Sequence, residues 1–320
     1  MLQNNANTSC PAKKTSIGGQ ALIEGIMMRG PKQSAMAVRN PAGEIVLEKW
    51  ETTSTFRAKF FKLPIIRGVF NFIDSMVSGY KCLMRSAEIA GLEEESSSAD
   101  GEEKKGISAF AMNALMVIAS VLGVALAVFL FMFLPVQIYS WIAKAVPGLE
   151  DNRFLRSLFE GLLRIAIFLG YMLLVTLMKD IRRTFQYHGA EHKTIFCYEH
   201  GLPLTVENVR KEGRFHPRCG TSFLVLMLLV GILISLFIPP NLPTLLRTAI
   251  KLLTLPLVMG IGYELIKLAG RKDNLLTRII SKPGIWMQHL TVLEPTDDMI
   301  ECAIAAFVEV IPEDEKSDNW

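Results

Sequence analysis

Long apolar stretches dominate the second half of the chain. Each of four stretches is long enough to cross the hydrocarbon core of a bilayer as a helix: 108–134, 157–178, 221–238 and 245–268. The fourth carries Lys251, Glu264 and Lys267, which we expect near its ends or facing protein. The pattern predicts a mainly α-helical, polytopic membrane bundle with about four transmembrane helices, in a domain that covers residues 107–270.

Strand-like patterns are confined to the N-terminal region. The runs 34–39 and 44–53 favour short strands, and the intervening Asn-Pro-Ala-Gly at 40–43 is typical of a turn. We therefore expect residues 1–55 to form a small β-containing cap on the cytoplasmic side of the membrane.

A glycine-rich segment at 17–31 precedes these runs and carries Glu24 and Arg29, which we treat as secondary candidate site residues. Its glycines permit tight turns or a close approach of the backbone to another group. The Gly spacing is too loose to indicate a phosphate-binding loop, so ordinary turns are the favoured interpretation.

The segment 56–90 has the pattern of an amphipathic helix that begins near Pro64. Polar residues recur every three or four positions around an otherwise apolar surface: Arg67, Asn71, Asp74, Ser78, Lys81 and Arg85. A narrow polar stripe is typical of a helix that lies in the membrane interface or packs against other spans, and a fifth span is the alternative. Residues 91–106 are rich in Glu, Ser and Gly and predict an acidic, flexible linker.

The C-terminal tail, residues 271–320, contains a second amphipathic helix. Thr296 is suited to cap it, and one face of the following turns is apolar: Met299, Ile300, Ala303, Ile304, Phe307 and Val308. We expect this helix to pack on the N-terminal cap or to mediate a homo-oligomer or another protein contact.

Composition supports the membrane assignment. Half of the residues are apolar, a fifth are charged, and the mean hydropathy is +0.32. A net charge of +3 is too small to indicate nucleic acid as a partner; the lipid bilayer is the expected one.

The five cysteines are scattered and odd in number, which favours free thiols or metal ligands in a reducing compartment. The first thirty residues lack an apolar signal segment, so we expect insertion through internal spans.

The distribution of basic residues predicts the orientation. Eight Lys or Arg residues lie between Lys179 and Arg218, and four lie between Arg271 and Lys282, whereas the two other connections between predicted spans carry few. With four spans, the loop 179–220 and both termini then face the cytoplasm.

Between the second and third predicted spans, the chain carries its most specific chemistry. His188 and His192 are four residues apart, so on a helix both imidazoles project from one face and can share a metal ion. Glu191 completes the order H-x-x-E-H, in which the histidines bind zinc and the glutamate activates water. We therefore assign Glu191 as the candidate catalytic base.

A second ligand pair follows in the same loop. His216 and Cys219 are separated by two residues, the spacing of a short chelating knuckle. Three of His188, His192, His216 and Cys219 with a water would make a catalytic centre, and all four would make a closed structural one. Further donors are nearby: Cys197, Glu199 and His200. The alternative is that these histidines only face lipid phosphates or carboxylates in a basic juxtamembrane loop.

Several long motifs resemble the YqhQ-like family of uncharacterised bacterial multi-pass membrane proteins, often labelled predicted metal-dependent enzymes. They are Gly-Gly-Gln-Ala-Leu-Ile-Glu-Gly-Ile-Met-Met-Arg-Gly-Pro at 18–31, Pro-Ile-Ile-Arg-Gly-Val from 64, Tyr-His-Gly-Ala-Glu-His-Lys-Thr from 187, His-Pro-Arg-Cys-Gly-Thr-Ser-Phe from 216 and Glu-Pro-Thr-Asp-Asp-Met-Ile-Glu from 294. The resemblance covers nearly the whole chain and implies residence in the bacterial cytoplasmic membrane.

Three functions are compatible with these residues. The leading hypothesis is a membrane protein with a divalent metal, expected to be zinc, at its cytoplasmic face, acting as a metal-dependent hydrolase. In it His188, His192 and His216 would be ligands, and Cys219 a fourth ligand or a gate. A non-enzymatic scaffold or assembly factor with a structural metal is the first alternative. A transporter is the last, because the charges near the predicted spans cluster at their ends.

Overall fold

The computed structural model describes residues 14–53, 59–91, 109–146, 148–149, 151–271, 274–314 and 318. Nearly all of the predicted linker at 91–106, and the first thirteen residues of the predicted cap, lie outside the described residues. The described chain is mainly helical with one small sheet near the N-terminus, as the sequence predicts.

The sheet is an antiparallel meander of four strands in sequence order: β1 Gly18–Leu22, β2 Gly25–Arg29, β3 Gln33–Arg39 and β4 Ile45–Glu51. It is larger than predicted, because the glycine-rich segment forms the β1–β2 hairpin rather than turns alone. Glu24 lies in the hairpin turn with a φ of 49°, and its carbonyl accepts a hydrogen bond from the Arg39 amide at 2.8 Å.

Ten α-helices follow in the described residues: α1 Ile66–Ile89, α2 Ala109–Val128, α3 Leu134–Ala145, α4 Arg153–Val175, α5 Lys179–Glu199, α6 Val206–Lys211, α7 Gly220–Ser235, α8 Thr244–Arg271, α9 Leu275–Thr291 and α10 Asp297–Val308. A 3₁₀ turn, Lys59–Lys62, precedes α1, and a π-helical turn, Phe129–Phe133, joins α2 to α3.

Three helical segments are long and apolar enough to cross a membrane: Val117–Ala145, Arg153–Val175 and Thr244–Arg271. The first extends past the predicted end at residue 134, because the π turn continues α2 into α3. The predicted span at 221–238 corresponds to the apolar α7, which has only sixteen residues and is about 24 Å long, short of a core of about 30 Å. The described helices therefore give three candidate spans and not clearly four.

Helix α1 is not among these candidate spans, and its polar stripe faces protein. Arg67 pairs with Glu264 of α8, with its Nε donating to Oε1 at 2.7 Å. About two turns further on, Asp74 accepts from Arg29 of β2 at 3.0 Å. The stripe thus joins the long helix α8 to the sheet.

The sheet, α5 and α10 form one body. Helix α10 packs against β2 and β3 on one side and against α5 on the other, so the predicted packing of this helix on the cap is observed. Their shared core contains Ile26, Met28, Tyr187, Ala303 and Phe307, all fully buried. This body holds the C-terminal half of α5 in place.

Candidate metal centre

The C-terminal half of α5 is polar in sequence yet buried in the structure. It packs against β1, α6 and α10, and it runs close to the segment that follows α9. The close approach requires Gly189, since a Cβ there would collide with the carbonyl oxygen of Leu293. The Leu293 amide also donates to the Phe185 carbonyl at 2.9 Å. This contact brings His188 to the end of α9.

Three of the predicted ligands converge. The donor atoms of His188, His192 and Cys219 all lie within 4.8 Å of one another. His188 Nε2 is 3.1 Å from Cys219 Sγ, and the two histidine rings have centroids 4.4 Å apart. The helical spacing of four explains why the two rings share a face, while Cys219 reaches them from the start of α7.

The orientation of both rings is determined by backbone carbonyls. His188 Nδ1 lies 3.0 Å from the Thr291 oxygen, and His192 Nδ1 lies 2.6 Å from the Arg214 oxygen. A carbonyl can only accept, so each Nδ1 carries the proton. The Nε2 atom of each ring is thus directed towards the cluster, as in metal sites whose histidines are fixed by outer hydrogen bonds.

Cys219 is the N-cap residue of α7. Its Sγ accepts a hydrogen bond from the Thr221 amide at 3.4 Å and lies 3.2 Å from the Thr221 hydroxyl. Burial of the thiol opposes ionisation, but the adjacent His188 and His192 outweigh it and hold the pKa of Cys219 well below its usual range. The two imidazoles therefore favour the thiolate, which is the form that binds metals.

His188 is the cationic partner of this thiolate. Burial of its ring disfavours the proton, but the charge of Cys219 and the hydrogen bond to it are stronger and raise the pKa of His188 to about 9. In the absence of a metal, Nε2–H therefore donates to the sulfur while Nδ1–H donates to Thr291.

Glu191 lies beside the cluster on the same helix. One of its oxygens, Oε2, is buried and has no hydrogen-bond partner, while the Gly19 amide donates to the carboxylate. Burial raises the pKa of Glu191, and His188 and His192 oppose this effect. The orphaned oxygen is unusual, because buried polar atoms are nearly always satisfied.

His216 does not join the cluster. Its Nε2 lies 3.8 Å from a Glu199 oxygen and 3.2 Å from Arg218 Nη2, and its ring centroid is 5.5 Å from that of His192. Burial, reinforced by the positive charge of Arg218, lowers the pKa of His216 to about 4 despite the neighbouring Glu199, so the ring is neutral. The structure thus brings together three of the four predicted ligands.

Gln288 of α9 fixes the segment that carries His216. Its amide forms two hydrogen bonds with the His216 backbone, accepting from the amide at 2.8 Å and donating to the carbonyl at 2.6 Å, and its nitrogen also reaches the Ser222 hydroxyl at 3.1 Å. Sequence reasoning missed Gln288 and the Thr291 carbonyl, since no local pattern links α9 to residues seventy positions earlier.

The remaining candidates have other partners. Glu24 pairs with Arg183 through two contacts of 2.5 Å, and Arg29 pairs with Asp74. Glu199 is buried, forms an ion pair with Arg218 and accepts from the Thr15 amide at 2.7 Å. These residues stabilise the body around the cluster without contributing donor atoms to it.

The two other predicted donors also lie outside the cluster. His200 pairs with Glu212 at 2.9 Å. Cys197 is buried, which raises the pKa of its thiol to about 11, and it donates to the Pro203 carbonyl at 3.5 Å.

Comparison with known proteins identifies the family. The family model described as "Protein of unknown function (DUF1385)" matches residues 63–313. The chain is also 33% identical over 296 residues to the "Uncharacterized protein YqhQ" of Bacillus subtilis (strain 168), covering 92% of each chain. The chain belongs to the DUF1385 family. The predicted YqhQ-like resemblance is therefore confirmed. No solved structure matches this DUF1385 chain.

Proposed function

We propose that this protein is a metal-dependent hydrolase of the bacterial cytoplasmic membrane, with one divalent metal bound by His188, His192 and Cys219. The observation that carries the proposal is the convergence of two imidazoles and one thiolate beside a buried carboxylate with an orphaned oxygen. His216 is held by Glu199 and Arg218, which leaves a three-ligand set with an open position rather than a closed four-ligand one.

The donor types fit zinc. Imidazole nitrogen and thiolate sulfur are both ligands that Zn²⁺ binds tightly, and three protein ligands with one open position are typical of catalytic zinc. A metal held there would supply a bound water with a pKa near 7. Glu191 is suited to accept the proton, since its Oε2 is unpartnered and its pKa is raised by burial.

Gly19 connects this carboxylate to a candidate substrate cavity. It contacts the Glu191 carboxyl group and also lines an open cavity of about 510 Å³, together with Gln20, Arg29 and Ser78. We propose that substrate enters this cavity, with Arg29 as a polar contact. The cavity lies within the size range of small-molecule sites.

The packing supports a topology with four crossings. The sheet, α5 and α10 form one body and must lie on one side of the bilayer. Along the chain, α2–α3 and α4 lie between the sheet and α5, so the chain crosses twice and returns to the same side. Between α5 and α10 it must again cross an even number of times. If α8 crosses there, α7 must cross as well. This parity agrees with the predicted cytoplasmic position of the loop 179–220 and of both termini.

Metal analysis of full-length protein tests the proposal. The protein is purified in detergent through a tag without histidine and without chelators, so that bound metal is retained and none is introduced. We expect about one zinc per chain, lost in His188→Ala, His192→Ala and Cys219→Ala but retained in His216→Ala and in the control His289→Ala. Wild-type protein without stoichiometric metal would refute the proposal.

Glu191→Gln separates catalysis from a structural metal. With p-nitrophenyl acetate as a generic acyl substrate, we expect the variant to retain zinc and lose hydrolysis by at least about 100-fold. A wild-type rate equal to that of Cys219→Ala would contradict the hydrolase. The specific observation behind the structural alternative is that the ligands tie α5 to the start of α7. A variant with full zinc and full activity would favour that scaffold function.

A further inference from the structure

A second cluster of ionisable residues lies among the long helices, away from the candidate metal centre. Arg156, Glu160 and Arg164 follow one face of α4, and Arg247 and Lys251 follow one face of α8. All five side chains are at most 6% exposed. One carboxylate faces four cations, which leaves a formal excess of three positive charges in a region of long apolar helices. Buried charge of this kind is costly unless it is partnered, and it marks functional sites in membranes.

The carboxylate of Glu160 accepts hydrogen bonds from three of the four cations. Its Oε1 accepts from Arg156 at 2.9 Å and from Arg247 at 3.0 Å, and its Oε2 accepts from Lys251 and from Arg247 at 3.3 Å, which occupies about four acceptor sites. The guanidinium of Arg247 also donates to the Pro239 carbonyl at 2.8 Å, and that of Arg156 donates to the Pro240 carbonyl. The carboxylate therefore has no capacity left for Arg164.

Arg164 lies one turn deeper along α4. Its Nε donates to the Phe131 carbonyl in the π-helical turn at 2.7 Å, and this is its one recorded hydrogen bond within the described ranges. Arg164 is eleven residues from the start of α4, which corresponds to about 16 Å along the helix axis, near the middle of a hydrocarbon core of about 30 Å. A guanidinium at that depth requires a negative partner.

Arg164 and Lys251 line the same cavity. It has a volume of about 290 Å³, and its other walls are almost entirely apolar. They come from the π turn, α4, α7 and α8, and include Phe168, Met227 and Val258. On one side the cavity is bounded by Leu224, which is 38% exposed and faces outward. Two cations that line a partly open cavity with otherwise almost entirely apolar walls are complementary to an amphiphilic anion.

We infer that this cavity binds an acidic lipid, with the anionic headgroup paired to Arg164 and Lys251 and an acyl chain against the apolar wall. The volume is near the lower end of small-molecule sites, so it accommodates a headgroup and part of one chain. The remainder of the lipid extends past Leu224 into the bilayer. This inference is independent of the metal proposal, because none of its residues touches the metal cluster.

Lipid-dependent stabilisation of delipidated full-length protein tests the inference. Phosphatidylglycerol, phosphatidylcholine and palmitate are added in detergent, and thermal unfolding and native mass spectrometry are recorded. We expect phosphatidylglycerol or palmitate to bind and stabilise, and phosphatidylcholine to do neither. The first identifies a phospholipid phosphate and the second a fatty-acid carboxylate. Equal stabilisation by phosphatidylcholine, or by inorganic phosphate without a chain, would overturn the inference.

Two variants and their controls locate the site. Arg164→Gln should weaken acidic-lipid binding at least about tenfold, because a charged hydrogen-bond partner is lost, whereas Arg153→Gln removes an exposed charge from the same helix and should not.

Gly231→Leu keeps both cations but fills the cavity. A Cβ at this position would meet only Arg164 Nη1, at 3.4 Å, an ordinary van der Waals contact, and Gly231 lines the cavity that the longer side chain would fill. We expect it to abolish binding, unlike Gly170→Leu, which points to open space on α4. Undiminished binding in a folded Gly231→Leu protein would contradict the cavity as the site.

Discussion

The backbone of Gly19 lies directly against the carboxyl group of Glu191. Its amide donates to that carboxylate, and a Cβ on Gly19 would be 3.0 Å from Glu191 Cδ and 2.8 Å from the Met27 carbonyl oxygen. This contact joins the glycine-rich hairpin to the candidate metal centre and explains why a residue without a side chain occupies this strand position.

Gly19→Ala should therefore displace Glu191. We expect zinc to be retained while p-nitrophenyl acetate hydrolysis falls, with a stability loss of about 1–3 kcal/mol from overpacking. Gly18→Ala is the matched control, because a Cβ there meets nothing within 4 Å. Hydrolysis rates and thermal unfolding of both variants test this prediction. If Gly19→Ala and Gly18→Ala have the same rate and stability, the Gly19 contact is not needed to position Glu191.

Zinc binding should depend on pH through His188. The metal-free pKa of His188 is about 9, so at pH 7 zinc must displace its Nε2 proton, whereas the lowered pKa of Cys219 favours its thiolate. We expect the apparent affinity to rise by about tenfold per pH unit below 9 and to level off above it. Chelator competition at several pH values and calorimetry in two buffers measure this. A flat profile would mean that His188 is not protonated in the metal-free protein.

Gln288 should support the centre without touching the metal. Gln288→Ala leaves the buried His216 amide and carbonyl unsatisfied, at a cost of about 1–3 kcal/mol in the free energy of unfolding. The anchored segment leads directly into Cys219, so loss of this support should also weaken zinc binding. Gln186→Ala, which removes an exposed contact to the Glu294 carbonyl, is the control. Unchanged zinc affinity would limit Gln288 to a role in stability.

The topology predicts which positions can be labelled from outside the cell. Cys197 cannot report on the loop 179–220, because its side chain is fully buried. In a Cys10→Ser background, Lys211→Cys should react with an impermeant maleimide only after the membrane is opened, and Asn241→Cys should react in intact cells. The other four cysteines are buried and should not react with the maleimide. Labelling of Lys211→Cys in intact cells would reverse the orientation.

The sequence predicted much of the centre because local spacing decides it. His188 and His192 share a helix face through a separation of four residues, and the basic loop indicated where such a site lies. The position of His216 could not be predicted. Gln288 anchors its backbone, and Glu199 with Arg218 hold its ring, while the turn into α7 directs Cys219 the other way. These contacts join segments distant in sequence.

In the fold, too, local sequence patterns were predictable and contacts between distant segments were not. Runs of apolar residues predicted the three candidate spans, since composition and length alone define them. The β1–β2 hairpin was missed because glycine masks the alternation of a strand, and its register depends on pairing with β3. The charged residues in these helices were expected near span ends, facing protein or paired, and those around Glu160 do pair, within α4 and across to α8.

X-ray absorption spectroscopy of the zinc-loaded protein tests the central claim most directly. If His188, His192 and Cys219 hold the zinc, we expect one sulfur at about 2.3 Å. Two imidazole nitrogens and one water oxygen should lie at about 2.0–2.1 Å. Cys219→Ser should remove the sulfur shell, and His216→Ala should leave the spectrum unchanged. A wild-type spectrum without sulfur, or one that loses an imidazole in His216→Ala, would contradict the three-ligand centre.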